Sequence, residues 1–322
     1  MTTPSDVQEP DPEFNTRCVQ LLADWDTNQI TVHEMLRRFA ALSEEAATSG
    51  QPANQGRVEH LLGYIHHYLG NYDTSNEHYE KARRFYSRAN NRHRVAVILM
   101  NQGENYRLRS DWQRALELYR IAIAIVEEIG DLPTLSYALT NQGLALIQVN
   151  RLDQARASLQ RAYDLSLEWH NKVYFDALET AYSIRAEVML GLADIALKRG
   201  LLDEAINASQ EALKNAEAAN EPRSRGLAYR MLGNVLTHAA TPSLPDIPPN
   251  ADTCYELSLA AFRQMQAQGE IGLTLAAYAR SLAERGEKQR AIRLYREALI
   301  IFTRLGMTYD AARVADAQMK VL

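Results

Sequence analysis

Three histidines lie close together in this 322-residue chain, His60, His66 and His67, and imidazole is both a frequent metal ligand and a base that titrates near neutral pH. Spacing argues against a metal. On a helix His60 and His67 share a face but stand about 10 Å apart at 1.5 Å per residue, too far for one zinc ion without a third element between them. The stretch HEMLRRF at 33–39 opens like a zinc-protease helix and then lacks the second His. There is no phosphate-cradling GxxxxGK[ST], no GxGxxG and no GxSxG nucleophile turn. Carboxylates are plentiful, but most fall on helix positions expected to face water. Cys18 and Cys254 lie far apart with no CxxC spacing, which predicts two reduced, partly buried thiols. The residues therefore predict no enzyme, no metal and no cofactor.

Charge narrows the partners. Residues 1–55 hold nine acidic and three basic side chains, while the whole chain carries −5, so the remainder is close to neutral. Such a body is not expected to seek nucleic acid or an anionic membrane. The opening MTTPSDVQEPDPE has neither a basic nor an apolar leader region, and no segment approaches about 18 uninterrupted apolar residues. A cytoplasmic protein is expected.

What must position these side chains is written as a repeat. NQGENYRLRS at 101–110 is followed forty residues later by NQGLALIQVN. Gly63 leads to Ser75, Tyr79 and Ala82; Gly103 to Ala115, Tyr119 and Ala122; Gly143 to Ala155, Leu159 and Ala162. Ala279, Ala291, Tyr295 and Ala298 continue the pattern. Weaker copies start at Ala193 and at Gly233, with Ser209 and Ser258 where bulk is expected. Each copy reads as two helices, because apolar and small residues recur at three and four, break at a short polar turn and resume. Small residues are expected where two helix axes approach, since a larger side chain would hold the backbones apart. A lone hairpin cannot cover its apolar face, so the copies should stack.

These positions, with Gly or Asn in the inter-helix turn (Gly70, Asn150, Gly200, Gly286) and a bulky residue after it (Tyr72, Trp112, Leu152, Leu202), resemble the tetratricopeptide repeat. The resemblance covers roughly three quarters of the chain, and its period of 40 is similar to the longer-helix variety of kinesin light chain. It implies an all-α fold, a right-handed superhelical solenoid of antiparallel helix pairs. The expected organisation is a disordered segment at 1–12, a capping helix pair at 13–55, six hairpins at 56–305 and a capping helix at 306–322, whose Ala312, Ala315, Met319 and Leu322 share a face. Two insertions interrupt the array. One is near 169–183, where Trp169, Tyr174 and Phe175 are expected to fill a widened joint between longer helices. The other is a Pro-rich exposed loop at 239–252.

In this family the first helix of each pair lines the concave surface, which the resemblance implies is the peptide site. Counting from each small residue, that groove is expected to hold Arg57, His60, Tyr64, His67 and Tyr68, then Met100, Asn101, Glu104 and Arg107, then Tyr137, Thr140, Asn141 and Gln148. Later copies add Glu187, Asp194, Lys198, Arg230, Asn234, His238 and Arg280. Asn101 and Asn141 are equivalent positions, and an amide that donates and accepts at once can hold a peptide backbone. The two-carboxylate clamp of chaperone-binding members does not fit, because its positions hold His60, Tyr64, Asn101, Tyr137 and Asn141. The expected function is a non-enzymatic scaffold binding a peptide segment of a partner protein. A regulator responsive to a signal peptide, as quorum-sensing members of the family are, and a self-associating structural subunit are the alternatives.

Overall fold

The computed structural model describes residues 7–27, 29–170, 178–239 and 248–322. Every regular element among them is a helix: α1 (Pro12–Asp26), α2 (Val32–Ser49), α3 (Pro52–Tyr68), α4 (Tyr72–Arg88), α5 (Arg92–Leu108), α6 (Trp112–Ile129), α7 (Leu132–Gln148), α8 (Leu152–His170), α9 (Leu178–Lys198), α10 (Leu202–Ala218), α11 (Pro222–His238), α12 (Ala251–Gln264), α13 (Gln268–Glu284), α14 (Lys288–Arg304) and α15 (Thr308–Val321). The fold is all-α, built of consecutively paired helices. None is long and apolar enough to cross a membrane.

The turns show why the pairs are antiparallel. Gly70, Asn150, Gly200 and Gly286 sit at φ of 78°, 59°, 72° and 82°, a left-handed conformation that Gly adopts freely and Asn tolerates. It folds the backbone so that Asn71 N donates to His66 O at 2.8 Å and Gly70 N to His67 O at 3.0 Å, satisfying carbonyls the helix leaves open. Side-chain caps start other helices: Asp11 accepts from Phe14 N, Thr31 from Glu34 N and Asp131 from Thr134 N.

The chain forms two compact units, residues 1–107 with 113–130, and residues 108–112 with 131–322. In the first, α1, α2 and α3 share a core of Phe14, Cys18, Leu21, Met35, Phe39, Ala46, Val58, Leu61 and Ile65. Close approach within pairs is set by glycine. A Cβ on Gly63 would meet the Tyr79 ring at 2.5 Å, and one on Gly103 would meet Tyr119 at 2.5 Å.

In the second unit, α7 packs on α8, α9 on α10, α11 on α12 and α13 on α14, while α9 also touches α7 and α11, and α11 touches α13. The first helices of successive pairs therefore form an inner layer. Gly143 receives Leu159, and Gly233 receives Tyr255. The bulky partner of Gly233 is thus Tyr255, not the expected position 258, because the insertion shifts the register of α12.

Three expectations need correction or limits. Within the stretch expected to be disordered, Gln8 and Asp11 are tied to the first unit, Gln8 N donating to Ala89 O at 3.0 Å and Asp11 N to Asn54 Oδ1 at 2.8 Å. On α15 the buried residues are Asp310 and Val314, with Met307 just before the helix; Met319 and Leu322 are exposed, so the covered face is rotated by about one residue from the one expected. At the first insertion α8 and α9 are longer than their neighbours, at 19 and 21 residues, and buried Trp169 donates to Ser136 Oγ at 3.3 Å. Tyr174, Phe175 and residues 240–247, within the stretch expected to be a Pro-rich loop, lie outside the described residues.

Candidate functional site

In the first unit the inner helices are α3 and α5, and their polar side chains meet across one repeat. Asn101 Nδ2 donates to His60 Nε2 at 3.0 Å, and His67 Nδ1 lies 2.6 Å from Asn105 Oδ1. Asn105 reaches on to Ser75 and Asn76 at 2.8 Å. Beside them the Tyr64 and Tyr68 rings pack at 4.7 Å, and Trp25 meets Tyr68 edge-on at 6.3 Å. Tyr68 is half exposed (52%), so an aromatic surface adjoins the polar one. Glu104 is paired with Arg107 and accepts from Tyr119 OH at 3.3 Å.

His60 is buried, and burial together with the Arg57 and Arg94 charges pushes its pKa down to about 3. The ring is therefore neutral at physiological pH, and with Nε2 accepting from Asn101 its hydrogen sits on Nδ1.

The second unit repeats the device with charges. Arg223 Nη1 on α11 lies 2.6 Å from Glu187 Oε1 on α9, and Arg230 on α11 lies 2.7 Å from Glu270 on α13. Arg223 also approaches Glu270 at 3.7 Å, joining three inner helices. Asn234 accepts from Tyr255 OH at 2.9 Å. Asp194 has its pKa raised by burial, opposed by Lys198 and Arg280.

The other expected residues separate by exposure. Tyr137 and Gln148 are exposed, and Arg57, Tyr64, His67, Asn101, Glu104, Arg107, Arg230 and Asn234 are half-buried. Met100, Thr140 and Asn141 are buried. Thr140 is 1% exposed and donates to Ser136 O at 2.8 Å, so it belongs to the packed side of α7; Met100 likewise fills core. Both were expected on an open groove. They sit at the border of the helix face, where a count of positions cannot separate the packed edge from the open one. Arg94, Arg223 and Glu270 were missed because the count stopped six residues before the small residue and did not reach the helix starts.

Among the described residues no group of three or more His, Cys, Asp or Glu side chains could hold a metal ion. Burial pushes the Cys18 thiol up to about 11 and the Cys254 thiol up to about 12, so neither is an activated nucleophile.

Paired helices with an ordered polar inner face define a helical-repeat scaffold of the protein-interaction type. Residues 54–128 and 94–168 match the tetratricopeptide repeat family, and this part of the chain is built of tetratricopeptide repeats. No curated protein sequence matches it significantly. Among solved structures it is similar to the apo form of RapI, with a TM-score of 0.68 at 10% identity over 91% of this chain and 99% of that one. It is also similar to a Rap protein complexed with competence and sporulation factor, with a TM-score of 0.66 at 14% identity over 91% and 74%. The Rap conjugation gene regulator of plasmid pLS20, solved with the Phr* peptide, gives 0.61 at 15% over 98% and 97%. At such identities the likeness establishes the fold alone.

Proposed function

We propose that this protein is a non-enzymatic scaffold that holds a peptide segment of a partner protein against its inner helices. One observation carries the reading. Polar side chains on successive inner helices pair at separations of 41, 38, 36 and 40 residues, for His60 with Asn101, His67 with Asn105, Glu187 with Arg223 and Arg230 with Glu270. Packing within a helix pair does not require these contacts. They hold donors, acceptors and charges in fixed positions, which reduces the ordering cost of binding. In the first unit Tyr64 and Tyr68 add an apolar anchor.

The test is a peptide-display selection on the immobilised full chain, repeated with Tyr64→Ala/Tyr68→Ala and with Arg230→Ala/Asn234→Ala, each checked for helical content. Enriched sequences should lose at least tenfold in affinity against one of the two variants. No enrichment, or sequences indifferent to both, would remove the reading.

A second reading is a regulator that changes shape on binding a signal peptide. Its support is the end-to-end likeness to the pLS20 regulator, whose structure holds a peptide. X-ray scattering with and without a selected peptide separates it from a passive scaffold: superimposable curves would leave the scaffold.

A further inference from the structure

Residues 7–11 are the one extended stretch seated on the first unit among its described residues, and the way they are held is the way a bound peptide is held. Gln8 N donates to Ala89 O at 3.0 Å. Gln8 O accepts from Asn91 Nδ2 at 3.2 Å, and Asp11 N donates to Asn54 Oδ1 at 2.8 Å. Asn54 and Asn91 are themselves buried and fixed. Asn54 donates to Gln51 Oε1 at 3.0 Å, and Asn91 caps α5 by accepting from Arg94 N at 3.0 Å. All three contacts read backbone, which any sequence supplies. Pro10 is buried. The polar side-chain contact made to the cleft from within residues 7–10 comes from Glu9, whose carboxylate accepts from Asn91 Nδ2 at 2.8 Å.

Around Glu9 the donors outnumber the acceptors. Its carboxylate stops 3.6 Å from Arg94, beyond the roughly 2.7–2.9 Å of a charge-assisted hydrogen bond. Arg57 pairs with no carboxylate among the described residues, and Arg57 Nε, Arg94 Nε, His60 Nδ1 and Tyr86 OH are all buried without a hydrogen-bond partner. These groups are neighbours. The His60 and Tyr86 rings meet edge-on at 6.5 Å, and the charges of Arg57 and Arg94 both act on His60 and on Tyr86. Two cations face one carboxylate that bonds to neither. A buried donor left unpaired keeps its full desolvation cost, and the resident segment leaves several so.

We propose that this cleft is a docking site for an extended peptide carrying a carboxylate that reaches Arg57 and Arg94 together, and that residues 7–11 are its resident occupant, displaced when such a peptide binds. The proposal deepens the peptide-binding reading and rests on it only for the class of ligand. The carboxylate can come from an Asp or Glu side chain or from a peptide C-terminus. The resident holds the cleft chiefly through its high effective concentration, in the millimolar range for a short tether, with the long Glu9–Arg94 pair adding little.

Fluorescence anisotropy on the full chain tests this with three labelled probes. The first copies residues 6–13 with an amidated end, the second is the same peptide with Gln for its first Glu, and the third ends at that Glu with a free carboxylate. The proteins are wild type, Gln8→Pro/Glu9→Gln to loosen the resident, and that double variant with Arg57→Gln or Arg94→Gln added. The loosened chain should bind the first or third probe at least tenfold more tightly than wild type, and each arginine change should take back at least tenfold. The stronger of the two probes names the carboxylate source, and the Gln probe should bind least. Equal affinity for wild type and loosened chain, affinity indifferent to both arginines, or no binding by any probe overturns the proposal. Tyr64→Ala/Tyr68→Ala in the loosened chain should leave probe binding unchanged, so failure here is distinguishable from failure of the inner-face reading.

Discussion

Buried His60 stays neutral in the folded chain through the pH range where an imidazole ordinarily takes up a proton. Its folded pKa, lowered to about 3 by burial and by Arg57 and Arg94, lies below the ordinary value near 6.5. Above pH 6.5 neither folded nor unfolded chain binds the proton, and the group is silent. As pH falls below 6.5 the unfolded chain takes up the proton and the folded chain does not, so stability falls by roughly 1.4 kcal/mol per unit until the folded pKa is reached. Wild type should therefore lose about 2 kcal/mol from this group between pH 6.5 and pH 5. Urea unfolding at pH 7 and pH 5 should show a smaller loss in His60→Gln by about that amount. Equal losses in the two proteins would mean that His60 is not held neutral. The pattern of small residues led to the expectation of His60, Tyr64 and Asn101 on one groove face; Asn101 Nδ2 donates to His60 Nε2 at 3.0 Å, while Tyr64 packs on Tyr68. It could not show that His60 is sealed, because the seal is made by Tyr79 and Tyr86 of α4, whose rings lie 6.1 and 6.5 Å from it. That contact depends on the pairing of two helices.

At the scale of the helix pair the decisive feature is the glycine that faces a ring. The sequence made this legible, because Gly63 and Tyr79, and Gly103 and Tyr119, recur at one spacing, and the close approach confirms the reason. A methyl at Gly103 would stand 2.5 Å from the Tyr119 ring, which is fully buried and cannot retreat. Gly103→Ala gains up to about 1 kcal/mol of helix propensity against about 1–3 kcal/mol lost through overpacking, so a net cost of up to about 2 kcal/mol is expected in denaturant titration. In a Tyr119→Ser background the ring is gone, as at the natural pair Ala193 and Ser209, and the same change should cost nothing or stabilise. A cost that persists there would place the strain in the backbone of α5 and not in the ring. The covered face of α15 was less legible. Ala312, Ala315, Met319 and Leu322 form a good apolar stripe, but the helix buries Asp310 and Val314 and donates from Gln318 Nε2 to Ile292 O at 3.4 Å. α15 packs mainly on α14 and slightly on α13, so the turn that delivers it, and not the stripe, sets the covered face.

Across the whole molecule, repeat stability is close to a sum of unit terms and nearest-neighbour contacts, so opening should stay near the place that is weakened. Two buried thiols report on this without any added probe. Cys18 lies in the core of the first unit, and Cys254 is buried in the second at the start of α12. Burial raises both pKa values, to about 11 and about 12, so labelling at pH 8 must pass through opened states. Gly63→Ala strains the first unit, because the new methyl would meet Tyr79 at 2.5 Å. If it costs about 1.4 kcal/mol locally, the Cys18 labelling rate should rise about tenfold where opening is in rapid equilibrium, while that of Cys254 changes less than twofold. Mass spectrometry of thiol-labelled peptides over time reads both rates in one sample. Parallel acceleration of the two would show that the units open as one cooperative body, and a peptide docked in the cleft beside Glu9 would then stabilise the entire chain and not its first unit alone.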